Sequence, residues 1–105
     1  MIAVIFEVEP YADHKASYLE VAATIKPDLE KIQGFISVER FQSLTNPEKI
    51  LSLSFFEDED AVKRWKAQEN HQDAQYIGKT KYFRKYRIRV TSVLRDYGLD
   101  NTADS

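Results

Sequence analysis

An α+β fold, one antiparallel sheet with helices laid on one face, is what three features of this chain predict. Alternating apolar residues open and close the sequence, a helical stripe follows the first alternation, and two further strand-like runs are joined by a turn signal. At 105 residues the chain holds one domain, placed at 1–98, with a polar tail at 99–105. The apolar fraction is 43% and the charged fraction 30%, as in an ordinary soluble globule.

Ile2, Val4, Phe6 and Val8 alternate with Ala3, Ile5, Glu7 and Glu9, the period of a strand with one buried face, and Pro10 ends it. From Tyr11 to Gln33 the positions Tyr18, Val21, Ile25, Leu29 and Ile32, with Ala22 beside them, form a stripe at helical spacing. Pro27 interrupts that stripe and predicts a kink or restart near Lys26, and Gly34 stops the helix. Phe35–Ser43 and Lys49–Glu57 are rich in aromatic and branched residues around Leu-Thr-Asn-Pro-Glu, and so read as a hairpin.

Asp58 opens a second helix with Glu59 and Asp60 in its first turn, where the helix dipole favours negative charge, and Ala61, Val62 and Trp65 face inward. Asn70 can cap a short helix from His71 to about Ile77, with Gly78 as its stop. Tyr82–Asp96 is the last strand, Tyr86, Ile88, Val90 and Leu94 on one face and Arg87, Arg89, Thr91 and Val93 on the other. The order β-α-β-β-α-β predicts a ferredoxin-like layer of helices on a four-stranded sheet. Strict alternation puts Ile5, Ile50, Phe56, Phe83 and Val93 on the face away from the helices, among Glu7, Arg87 and Arg89, and a second copy's sheet would cover them.

Several function classes fall away on composition. A net charge of −2 gives no global reason to expect nucleic acid or an anionic membrane. The absence of cysteine excludes disulfides, thiolate nucleophiles and cysteine metal sites. The opening run reaches an acid at Glu7 with no basic segment before it, so it reads as neither signal peptide nor membrane span, and a cytoplasmic location is expected. The basic residues Lys79 to Arg95, interleaved with Tyr82, Phe83 and Tyr86, suggest an RNA-recognition strand, but the third strand lacks the glycines of that signature. A charged strand at a wet dimer interface explains them better. His14 and His71 lie on different helices, no acid–histidine pairing has ligand spacing, and no glycine-rich phosphate loop or G-x-S-x-G elbow is present.

The stretch from Arg64 to Gln75 carries the only tryptophan and one of two histidines. Trp65 is expected to be mainly buried. His71 and Gln75 share one side of the expected short helix, a polar pair where the stripe would otherwise be apolar. Residue types alone leave two readings of His71 open, a buried imidazole bonded to backbone or a base in a pocket.

The runs SLSFFEDEDAVKRW (52–65), HQDAQ (71–75) and YRIRVTSVLRDYG (86–98) resemble the antibiotic biosynthesis monooxygenase family of the dimeric α/β-barrel superfamily. The likeness extends from Ile2 to Gly98. It implies a homodimer whose sheets face each other, and in each protomer a pocket between the helix-facing side of the sheet and the second helical region. Trp65, His71 and Gln75 would border that pocket, and Phe6 and Phe55 would form its floor. Relatives that oxidise phenols or quinols use no metal or flavin, because the deprotonated, electron-rich substrate reduces oxygen itself while the protein supplies a base and a dry, orienting pocket.

Phenol-oxidising relatives carry an asparagine and a tryptophan four apart, then a tyrosine six further on. Those places hold Ala61, Trp65 and His71 here. Haem-degrading relatives use a first-strand asparagine and a histidine ten residues beyond the tryptophan. This first strand has no asparagine, and the second place holds Gln75, which disfavours haem degradation. The resemblance therefore implies a cofactor-independent monooxygenase for a small aromatic quinol or phenol, with His71 as acid/base and Trp65 as pocket wall. The alternative is a non-catalytic dimeric module that binds a small apolar ligand.

Overall fold

The alternation that opens the chain does become a strand, and the chain's last alternation lies beside it. In the computed structural model, which describes residues 1–70 and 83–99, β1 (Ile2–Pro10), α1 (Lys15–Glu30), β2 (Phe35–Gln42), β3 (Ile50–Phe56), α2 (Glu59–Asn70) and β4 (Phe83–Ser92) follow one another. The expected short helix at 71–77, with His71 and Gln75, lies outside the described residues, as does the tail from 100 onward. The strands form one sheet in the order β2-β3-β1-β4, with every neighbouring pair antiparallel, the ferredoxin-like arrangement expected. No helix among the described residues is long and apolar enough to cross a membrane.

Helix α1 is preceded by a 3-10 turn at Ala12–His14, in which the His14 amide donates to the Tyr11 carbonyl at 2.8 Å. It then runs unbroken through Pro27 to Glu30, without the expected restart. Pro27 stands in the last turn, so its missing N–H removes one bond near an end that frays anyway. At α2 the Asp58 carboxylate accepts from the Ala61 amide at 2.9 Å, the capping role expected of it.

Gly34 joins α1 to β2 and fixes where α2 sits. Its φ of +91° is left-handed, and a Cβ there would stand 2.7 Å from Ala61 Cβ, so only glycine allows both the turn and the approach of α2. The junction is pinned from the other side as well. The Glu57 amide donates to Gly34 O at 2.7 Å, and Arg64 Nη1 donates to Gln33 O at 2.6 Å.

Among the described residues two apolar clusters lie between helices and sheet. Ile2, Leu29, Phe56 and Ala61 form one, with Phe35, Val38, Val4, Val62 and Trp65 packed around it. Val8, Tyr18 and Ile50 form the other, with Phe6 and Phe83. Three of these residues correct the expected facing. Ile50 and Phe56 point toward the helices because β3 runs in the opposite phase to the one expected, with Ile50, Ser52, Ser54 and Phe56 buried and Leu51, Leu53 and Phe55 half-buried on the other side. Phe83 turns inward because the pairing of β1 with β4 shifts between Glu9 and Pro10, and such a bulge reverses the side on which following residues point. A second shift, between Phe35 and Ser37, lets both Phe35 and Val38 reach the core while Ile36 stays exposed on the far side.

Candidate functional site

Between the two clusters, two rows of side chains cross the helix-facing side of the sheet. One runs Val38, Ser54, Val4, Val90, and the next runs Arg40, Ser52, Phe6, Ile88. Ser52 and Ser54 are 8% and 9% exposed on a central strand, where an apolar core would ordinarily place large side chains. The band is closed toward β2 and β3 and open toward β4, where Tyr86, Ile88 and Val90 remain about half exposed. Phe6 and Val4 floor it. Phe6 also stacks with Phe83 and Tyr86, each at a centroid distance of 5.8 Å, and Tyr18 meets Phe83 edge-on at 5.2 Å.

Trp65 is held on α2 against the first cluster, against which Val4 also packs. It is partly exposed with most of its surface buried, in line with the burial expected of it. Phe6 and Trp65 thus lie on the same side of the sheet, as expected. Phe55 does not. Facing Ala3 in the β1–β3 register, it lies on the opposite side and lines an open depression of about 410 Å³ with Met1, Ile36, Val93, Arg95 and Asp96. It is no floor residue of a helix-side pocket, and the reversed phase of β3 is the reason.

Residue-type reasoning missed Ser52, Ser54 and Arg40. Arg40 stands at the closed end of its row, with its Nε buried and without a hydrogen-bond partner among the described residues. Burial pushes the Tyr18 hydroxyl above its ordinary pKa, while the Arg40 guanidinium pulls it back through its charge and a hydrogen bond. The signal available in the sequence was a single basic residue in a strand whose helix-side neighbours, Val38 and Phe35, are apolar.

The far side carries ions as well as apolar groups. Glu7 pairs with Arg89 at 3.3 Å and Lys49 at 3.8 Å. Glu9, 3% exposed, receives Lys85 and Arg84 at 3.0 Å each and the Asn46 amide at 3.1 Å. The Lys85 bond is the main reason its carboxyl is held below the ordinary value, against the opposing effect of burial. Among the described residues no group of acids and histidines is arranged to hold a metal ion.

Fold and site together define a small α+β domain of ferredoxin-like topology with an aromatic, half-open floor beside a tryptophan on its helix side. The family model for antibiotic biosynthesis monooxygenase matches residues 1–76, and the chain belongs to that family. A jasmonate monooxygenase ABM from Pyricularia oryzae is 41% identical over 93 residues, which are 89% of this chain and 43% of that protein, so the chain spans less than half of this relative's length. Among solved structures, a putative antibiotic biosynthesis monooxygenase from Deinococcus radiodurans aligns with a TM-score of 0.80 at 14% identity, covering 94% of this chain and 98% of that one. A conserved protein from Methanosarcina mazei Go1 aligns with a TM-score of 0.75 at 18% identity, covering 86% and 89%. These structural likenesses concern the fold alone.

Proposed function

We propose that the chain is a monooxygenase domain acting on a small, mostly apolar molecule, with a small aromatic quinol or phenol as the first substrate class. Family membership supports the reaction type. The observation that carries the site is the half-open band floored by Val4 and Phe6 with Trp65 at its margin. In the reaction a base takes the hydroxyl proton, the phenolate gives electrons to oxygen, one oxygen atom enters the ring and the other leaves as water. A phenol with a free ring position becomes a quinone, and the substrate supplies all four electrons. His71 is the proposed proton acceptor, with Gln75 beside it at the pocket border and Trp65 as wall. A homodimer through the far side of the sheet completes the proposal, supported by exposed Ile36 and Phe41 and half-buried Ile5, Leu51, Leu53 and Phe55 on that face.

A second reading has its own support in the 41% identical relative, whose name assigns it jasmonate. Oxygen uptake with hydroquinones, naphthols and jasmonate, each offered to the same preparation, separates the two. The non-catalytic alternative expects ligand-induced quenching of Trp65 fluorescence with no uptake. His71→Ala is expected to lose about a hundredfold or more in turnover, as removal of a general base does, while melting close to wild type. Unchanged turnover would remove His71 from the chemistry. A lowered melting temperature with unchanged turnover per folded molecule would make it structural.

A further inference from the structure

We propose that Arg40, with the hydroxyls of Tyr18 and Ser52, anchors the carboxylate of an organic acid whose apolar body lies along the row toward Phe6 and Ile88. This rests on reading the helix-side band as the substrate site, and it names the substrate's polar end.

Arg40, Ser52, Phe6 and Ile88 are consecutive partners across four strands, so cation, hydroxyl, aromatic ring and aliphatic group follow in line. Three strand spacings make that line about 14 Å long, the scale of a small amphipathic molecule. A polar end at one side and an apolar run at the other is the pattern of a site that orients its ligand.

Arg40 also has capacity left over. Among the described residues its buried Nε has no hydrogen-bond partner, and no ion pair joins it to a carboxylate. Glu7 and Glu9 lie on the opposite face and are engaged by Lys49, Arg84, Lys85 and Arg89. A buried donor on a charged group costs free energy until something accepts from it. Nε together with one terminal nitrogen forms the planar edge of a guanidinium that matches the two oxygens of a carboxylate. Among the described residues one cation stands in this row, flanked by hydroxyls, and that suits a monoanion better than a phosphate. Ser52 and Tyr18 are buried residues whose hydroxyls can donate to the same group, which gives the inward serine of β3 a role that packing does not supply.

Calorimetric titration of the full chain with 2-naphthoate and with 2-naphthamide tests this without requiring turnover. Wild type is expected to bind the carboxylate at least about tenfold more tightly than the neutral amide, since charged hydrogen bonds are stronger than neutral ones. Arg40→Met should erase that preference and leave amide binding unchanged, Arg40→Lys should retain part of it, and Tyr18→Phe should weaken carboxylate binding several-fold. Equal affinity for the two probes in wild type would overturn the anchor, as would no binding of either at millimolar concentration. A preference that survives Arg40→Met would also overturn it, and if that variant also melts lower, Arg40 is simply a structural partner of Tyr18. A chain that binds the acid through Arg40 yet consumes no oxygen would refute the monooxygenase reading and leave the anchor standing. Turnover of a neutral phenol with no preference between the probes would do the reverse.

Discussion

On the helix side of β3, Ser52 and Ser54 are buried, whereas on the other side of the same strand Leu51, Leu53 and Phe55 are less completely buried. Proteins ordinarily arrange these residue types the other way round. This distribution supports both proposals, a ligand on the helix side and a second copy on the far side. Hydroxyls and an arginine set among apolar clusters leave a polar, half-open band suited to a small ligand. Leucines and aromatics framed by ion pairs leave a face suited to another sheet, where stacked sheets interdigitate about 10 Å apart.

The largest effect that can break this comparison is on stability. Phe56, 1% exposed and packed edge-on against Phe35, should cost about 3–5 kcal/mol when cut to alanine, as large-to-small core changes do. Its neighbour Phe55 should cost only roughly 1 kcal/mol in the isolated chain, in proportion to its partial burial. Denaturant titrations of both variants read the difference, and equal costs would mean that β3 is not phased as described. Gly34→Ala belongs with Phe56, because it meets both the strained φ and the contact with Ala61, and a drop in melting temperature is expected without change in the far side.

Next in size is the far face itself. Val93→Asp places a charge beside Met1, Ile36 and Phe55 and should shift the proposed dimer toward monomer in sedimentation at micromolar concentration, with the helix-side core intact. Wild type sedimenting as a monomer would remove the dimer altogether.

A smaller effect sharpens the role of the ions at the edge of that face. Glu9 is held below its ordinary value of 4.5, so its pairs with Lys85 and Arg84 stabilise the fold above that value, and the contribution fades as pH falls through the depressed one. Melting temperature should therefore separate wild type from Glu9→Gln at neutral pH and converge under acid conditions. A constant gap across that range would mean the carboxylate's charge is not what matters.

Much of the fold could be read from residue order, and the reasons the rest could not are specific. β1, the stripe of α1 and the cap at Asp58 follow from local periodicity and capping, which act within a few residues. The facing of β3 does not, because both alternations in ILSLSFF contain apolar groups and the choice between them is made by what packs above and below the sheet. Phe83 and Val38 escaped strict alternation because single-residue bulges reset its phase, and no residue type announces a bulge at Glu9 or Phe35. The inward facing of Trp65 and Phe6 was legible because both lie on elements with strong periodicity, and it was the family resemblance that marked them as candidate site residues. Arg40 and Ser52 were not, since their meaning comes from register across four strands. Phe55 was misplaced for the same reason.

Incorporation of labelled oxygen, followed by mass spectrometry of the product from wild type and Ser52→Leu, tests the helix-side band as the place of reaction most directly. One atom from molecular oxygen is expected in the wild-type product, with a loss of at least tenfold in product from a Ser52→Leu variant that melts near wild type, because the leucine fills the band. Label absent from the wild-type product, or full activity in the folded Ser52→Leu variant, would contradict it.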